Sequence, residues 1–266
     1  MNQTLEQLVG QLIIAGFRGT EASPNSSIAK YIQEYNLAGV ILYDEDVKIG
    51  GLGSRNIQSP EQLKNLTGQL QSFSTDGLLI SIDQEGGSVD RLKLEYGFPE
   101  TPSWNHMGHR DNDLMTKQFS QSIASTLSDC GINLNFAPVM DLHYGEETVI
   151  VKTGSAHSPH PKSVVQHCRI FVQSMKENQV ISCGKHFPGQ GSASGDTHKG
   201  LTDISDSWTV IDLLPFDEII QTDDWDMIMV SHTFDSKMDL NYPSSLSRKI
   251  ITNMLRNDMG FDGVVI

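Results

Sequence analysis

Four clusters of polar residues carry the chemistry open to this chain. Asp83-Gln-Glu-Gly-Gly87 runs on to Arg91, and Asp141 and His143 stand two apart. Lys185-His-Phe-Pro-Gly-Gln-Gly191 leads to Asp196-Thr-His198, and His232 stands alone. The stretch from Gly184 to His198 is the most informative. Glycines at 184, 189, 191 and 195 describe a loop that turns tightly or moves. Asp196 and His198 are close enough in sequence to share a side-chain hydrogen bond. A carboxylate beside an imidazole fixes its tautomer and favours the protonated ring. That pairing suits a general acid/base near neutral pH, on a loop able to close over a substrate. Taken alone, Asp-x-His among glycines is more often ordinary loop chemistry, so its position in the fold has to decide.

The elements that would hold these clusters are short strands alternating with longer helical patterns. Strands are predicted at 12–17, 38–43, 78–83, 132–138, 180–186, 226–232 and 263–266, with helices near 26–36, 60–74, 112–130, 161–178, 211–221 and 246–258. Runs such as Gly39-Val-Ile-Leu-Tyr43 and Met227-Ile-Met-Val230 are continuously apolar, as in strands buried on both faces of a parallel sheet. Ser59-Pro60-Glu61 offers a cap, a proline and an acid for one helix start, and Ser247 a weaker cap for another. Each polar cluster follows a strand, which is where sites assemble in parallel α/β proteins. Periodicity alone leaves a (β/α) barrel and a doubly wound sheet both open.

Composition bounds the rest. At 266 residues, 38% hydrophobic and 20% charged, the chain suits one large domain, 1–266, with no repeat or linker dividing it. Thirty-three acids against nineteen bases leave a net charge of −14. Such a chain repels phosphate backbones and anionic lipid, so nucleic acid and membrane surfaces are not expected partners. No apolar run approaches the roughly 18–20 residues that span a bilayer. The apolar stretch 8–17 lacks the basic lead of a secretory signal. Three cysteines, Cys130, Cys168 and Cys183, read as buried thiols in a reducing compartment, so the expected location is cytoplasmic.

Several motifs together resemble one family. Lys185-His-Phe-Pro-Gly189, then Gly191 and, four residues on, Asp196-Thr-His198, is similar to the signature of β-N-acetylhexosaminidases in glycoside hydrolase family 3. So are Asp83-Gln-Glu-Gly-Gly87 with Val89 and Arg91-Leu92, Phe136-Ala-Pro-Val-Met-Asp141, Leu214-Pro-Phe216, and the run from Met229 through Met259-Gly-Phe-Asp-Gly-Val-Val-Ile266. The resemblance implies a TIM-like (β/α)8 barrel that removes terminal β-linked N-acetylglucosamine with retention, through a covalent glycosyl-enzyme, without a cofactor or metal. It implies that His198, steadied by Asp196, delivers the proton, a departure from the usual pair of carboxylates. Asp83, Arg91, Lys185 and His186 fall on positions that hydrogen-bond the terminal sugar. A carboxylate can accept from two hydroxyls while cationic donors hold others. A structural Asp83–Arg91 salt bridge is the alternative. Muropeptides from cell-wall recycling are the implied substrate.

Three departures qualify the match. Gln190 stands where the family usually has histidine or arginine. The arginine-serine pair expected after the fourth strand is replaced by Val149-Ile-Val-Lys-Thr-Gly-Ser155, which offers Lys152, without an arginine's planar fork. The run ending at Ile266 would lead directly into the nucleophilic aspartate, and Asp262 lies ahead of the strand. The expectation is therefore a barrel truncated after its seventh strand, inactive or nearly so by itself. Two other functions remain: phosphorolysis, since a histidine acid/base avoids repelling phosphate, and non-catalytic sugar binding. His106-x-x-His109 and His157-x-x-His160 have chelating spacing but lie in loop-like sequence without a matched third ligand, so no metal site is expected. Phe187-Pro188 is a candidate cis bond.

Overall fold

The computed structural model describes residues 3–145, 148–222 and 225–266. Its strands are β1 (Ile14–Gly16), β2 (Gly39–Ile41), β3 (Leu79–Ile82), β4 (Leu134–Asn135), β5 (Ile181–Phe187), β6 (Thr202–Asp203), β7 (Met227–Val230), β8 (Thr233–Phe234) and β9 (Val264–Val265). Seven of them form one parallel sheet in the order β1-β2-β3-β4-β5-β7-β9, while β6 and β8 pair separately. That order follows the chain without the reversal that defines a doubly wound sheet, so the alternative left open by periodicity is closed.

The sheet also curls. Ile14, Ile41, Leu79, Leu134, Phe136, Ile181, Cys183, Met227 and Met229, from β1 through β7, share a single apolar cluster on the inner face. A flat sheet would hold β1 and β7 far apart, since neighbouring strands lie roughly 4.8 Å from one another. Their common cluster therefore requires the wall of a TIM-like barrel, with seven strands among the described residues.

Helices α1 (Leu5–Gly10), α2 (Ser27–Tyr35), α3 (Pro60–Ser72), α4 (Trp104–Arg110), α5 (Asp113–Asp129), α6 (Val149–Lys152), α7 (Pro161–Glu177) and α8 (Leu214–Ile220) accompany the strands. A last, π-type helix spans Lys249–Asp258. α3 starts as its sequence predicts: Ser59 Oγ accepts from Gln62 N at 3.2 Å and Pro60 occupies the first turn. Its buried Leu63, Leu66 and Leu70 recur at helical spacing and face the outer core. α7 buries Val164, Cys168, Phe171 and Met175 in the same way, packed on α5. Ser247 accepts from Ile250 N at 3.2 Å, as a cap should. The sequence 106–109, read as a loop, is instead helical, with Ser103 accepting from His106 N. All three cysteines are buried and unpaired, and burial pushes the Cys130 thiol up to about 11. No described helix is long and apolar enough to cross a membrane.

Candidate active site

Strand alternation decides which side chains reach the barrel mouth. Residues two apart share a face, and the inner-face residues Ile14, Ile41, Leu79 and Cys183 are known from the core. Counting on by twos toward each strand's C-terminal end gives Arg18, Tyr43, Asp83 and Lys185. Their partners are observed there. Lys185 Nζ lies 2.9 Å from Asp83 Oδ1 and 2.6 Å from Glu85 Oε1, with only 4% of its side chain exposed. A buried ammonium survives only when paired, and here two carboxylates hold it. Burial opposes the lysine's charge, yet Asp83 and Glu85 raise its pKa above the ordinary value. Burial likewise opposes the charge on Asp83, but Lys185, with help from Arg91 and His186, keeps its carboxyl below the ordinary range.

The turn after β3 is built to hold this arrangement. Asn135 grips the backbone of Gln84 through both its amide atoms, at 3.0 Å each. The Gln84 side chain then accepts from Arg91 N at 2.9 Å and Leu92 N at 3.1 Å, and donates to Asp90 at 2.6 Å. Gly86 has φ +94°, and a Cβ there would sit 2.3 Å from Pro102 O, so no other residue fits. Arg91 stands 3.8 Å from Asp44 and 5.6 Å from the Tyr43 ring. Its Nε is buried with no hydrogen-bond partner, an unmet donor of the kind a ligand satisfies. The expected alternative, a direct Asp83–Arg91 salt bridge, is not among the described ion pairs; Asp83 pairs with Lys185.

His186 sits on a second carboxylate. Asp141 Oδ2 takes the ring Nδ1 at 2.7 Å, while Oδ1 accepts from His186 N at 3.3 Å and Gln190 N at 2.6 Å. The Lys185–His186 and Phe187–Pro188 bonds are both cis. Gln190, the departure from the family pattern, is buried and accepts from Ser231 Oγ at 2.9 Å, tying the loop root to the residue that follows β7. Gly191 presses against Leu142, where a Cβ would lie 2.0 Å from a carbonyl oxygen. Beyond that root the loop turns outward. His198 Nδ1 and N lie 3.1 and 3.0 Å from Asp196 Oδ1, so the predicted pair forms. Its ring is 93% exposed. The backbone N–H and ring of His198, aided by Lys199, hold the Asp196 carboxyl below its ordinary value.

The structure thus gathers Asp83, Lys185, Arg91 and His186 at the mouth and leaves His198 exposed to solvent on a partly covered Asp196. Of the segment 149–155, Ser155 reaches the site, donating to Glu85 Oε2 at 2.6 Å, whereas Lys152 is exposed on α6. Asp262 lies at the N-terminal end of β9, opposite the mouth, where a nucleophile cannot act. His157 and His160 serve different ends: the His157 ring packs tilted against Trp104 and His167, with centroids 4.8 and 4.5 Å away, while His160 immediately precedes α7. Among the described residues no group of three His, Cys, Asp or Glu could hold a metal ion. Tyr43, Glu85 and Ser155 escaped the sequence reading. Alternation from Ile41 would have found Tyr43; nothing local to Glu85 or Ser155 announces their shared bond.

A curled parallel sheet whose charged side chains converge at strand C-terminal ends defines the TIM-like barrel class. The profile of the Glycosyl hydrolase family 3 N terminal domain matches residues 4–266, and the chain belongs to that family. A Beta-hexosaminidase of Neisseria meningitidis serogroup C is 34% identical over 233 residues, covering 83% of this chain and 63% of that protein. A Beta-hexosaminidase A of Pseudoalteromonas piscicida is 29% identical, covering 99% of this chain and 48% of its own. A family 3 β-N-acetylglucosaminidase from Paenibacillus superposes with a TM-score of 0.88 at 31% identity, over 99% of this chain and 49% of that one. NagZ of Neisseria gonorrhoeae in complex with N-trifluoroacetyl-D-glucosamine gives 0.83 at 28%, over 95% and 72%. The chain therefore spans about 63% of the meningococcal relative's length.

Proposed function

We propose that this protein hydrolyses terminal β-linked N-acetylglucosamine from saccharides. The observation that carries the reading is Lys185 clamped between Asp83 and Glu85 at the mouth, beside the unmet Nε of Arg91, in a family 3 chain. Asp83 presents an ionised acceptor to sugar hydroxyls, while Lys185, Arg91 and His186 supply donors. All are anchored, so little ordering cost accrues on binding. His198 is the proton donor to the leaving oxygen, reaching it when the loop beyond Gly191 closes. Asp196 holds the ring's Nδ1, which leaves Nε2 for the substrate. Retention through a glycosyl-enzyme, a muropeptide substrate and a cytoplasmic setting are finer parts of the same proposal, supported by the family motifs. The attacking carboxylate of that route belongs at the mouth end of β9.

The test is release of p-nitrophenol from its N-acetyl-β-glucosaminide by the full-length protein, in wild type and His198→Ala. Turnover that collapses in the variant while N-acetylglucosamine still binds supports the proposal. Turnover that rises with phosphate and yields a sugar 1-phosphate replaces hydrolysis by phosphorolysis, and binding without turnover replaces both by a carbohydrate-binding role.

A further inference from the structure

The rim beside Asp83 is crowded with cations, and nearly all are already neutralised. Lys185 has Asp83 and Glu85; Lys93 has Asp44 at 2.6 Å and Glu45 at 2.7 Å; Arg18 is paired with Asp46; Arg91 stands near Asp44. Arg55 differs. Its Nε donates to Phe17 O at 3.0 Å and its guanidinium lies 4.7 Å from the centre of the Tyr43 ring. Among the described residues no carboxylate approaches its nitrogens within 4 Å, although the chain carries a net charge of −14.

The position is built. Neighbouring Asn56 is fully buried and binds the ends of both β1 and β2: its Nδ2 donates to Phe17 O at 3.3 Å and Gly19 O at 2.9 Å, and its Oδ1 accepts from Tyr43 N at 3.1 Å. Arg55 Nη2 lies over Gly16, where a Cβ would meet it at 3.0 Å. Gly16 and Tyr43 both belong to the inner-facing register of their strands, so the guanidinium rests at the mouth of the barrel. Tyr43 also feels Asp83 and Lys185 directly, with Arg91 and Arg55 opposing the rise that burial and Asp83 impose on its phenol. One aromatic ring therefore separates the hexosamine-binding cluster from a fixed, half-buried guanidinium without an anion.

We infer that Arg55 receives an anionic substituent, a carboxylate or sulfate, carried by the saccharide within one ring's reach of the terminal N-acetylglucosamine. The inference rests on the hexosaminidase reading and names its substrate class. A guanidinium presents a planar fork that matches such oxyanions, and stacking on Tyr43 fixes the plane before the ligand arrives. The substituent sits either on the leaving group or on the terminal sugar, and the two sources can be told apart.

Charged and neutral partners supply the test, read as dissociation constants by calorimetry so that turnover is not needed. The full-length protein is titrated with 3-carboxyphenyl and 3-carboxamidophenyl N-acetyl-β-thioglucosaminides, and separately with N-acetylglucosamine and its 6-sulfate. Roughly tenfold tighter binding of the charged member of one pair is expected, vanishing in Arg55→Gln, reduced in Arg55→Lys because the stacked planar fork is lost, and weakened in 0.5 M salt. The pair that shows it identifies the source. Equal binding of both members of both pairs by wild type overturns the inference and leaves the hexosaminidase reading intact. Failure to bind any of the four overturns both. Should Arg55→Gln fold poorly, Arg55→Lys, which keeps the charge without the fork, takes its place, and an undiminished preference in it overturns the inference.

Discussion

The Lys185 cluster and the Asp196–His198 loop are both drawn from the stretch that follows the core of β5, yet they are held in opposite ways. Lys185 is sealed between two carboxylates that are themselves tied to Arg91, Ser155 and the β3 turn. His198 touches its own aspartate and is otherwise in water. The difference matches the two tasks proposed for them. Recognition of a sugar rewards groups fixed in advance, because ordering them on binding would weaken affinity. Proton delivery needs a group that can approach with the substrate and withdraw with the product. The boundary between these regimes is sharp: Gly191 packs on Leu142 and Gln190 bonds Ser231, and seven residues past Gly191 the chain is at the surface.

Breaking the cluster should cost most. Lys185→Met leaves Asp83 and Glu85 facing each other without a cation, and a loss of about 3–5 kcal/mol is expected in urea unfolding. A loss under 1 kcal/mol would show that solvent already shares this site. His198→Ala is the mirror case. Stability should stay within about 0.5 kcal/mol of wild type, while turnover of an N-acetylglucosaminide falls roughly 100- to 1,000-fold. A variant that loses stability as well would mean that the loop packs inward more than its exposure allows.

Protons sharpen the comparison further, because each region has a buried titrating neighbour of opposite sign. His157 lies behind the cluster, two residues from Ser155, with both ring nitrogens unpartnered. Burial first, then His167, pushes its pKa down from 6.5 to about 3, with Asp111 opposing. The folded value is below the unfolded one. Its contribution is therefore whole above about pH 6.5 and is lost as pH falls toward 3. Asp212 abuts the loop root at Gly189. Burial raises its carboxyl from 3.8 to about 6, with Asp141 adding to the rise and the Thr209 N–H opposing it. That folded value is above the unfolded one, so its contribution is whole below about 3.8 and is lost as pH rises through 6. Asp212→Asn should therefore gain about 2 kcal/mol at pH 7.5 and little at pH 4, whereas His157→Phe should flatten the acid limb alone. Thermal unfolding across pH 4–8 measures both. The smallest effect is expected at the join between the regions. Gln190→Ala removes the acceptor for Ser231 and should cost about 1 kcal/mol while loosening the loop root.

Much of this was legible in the chain. Seven strands were predicted and seven form the sheet, because parallel strands buried on both faces read as unbroken apolar runs. The clusters of Asp83 and Lys185 stood out by their place at strand C-terminal ends and took a sugar-binding role from the family resemblance, and the Asp196–His198 bond was found by spacing. Tyr43 was missed although Ile41 is two residues earlier, because an aromatic in an apolar run carries no mark of its own. The helix Trp104–Arg110 was missed because it is short and its stability comes from packing Trp104 against Phe119, Phe171 and His157.

What the sequence determined by itself is local: strand and helix periods, caps, and which residues follow each strand. Those depend on neighbours a few positions away, and the covalent chain supplies them. The tertiary structure alone decided the sequential strand order, the pairing of Lys185 with Glu85 and of Ser155 with Glu85, the burial of Gln190, and the exposure of His198. Each of these joins residues far apart in the chain or sets a side chain's distance from water, and neither quantity exists until the sheet has curled around its inner face.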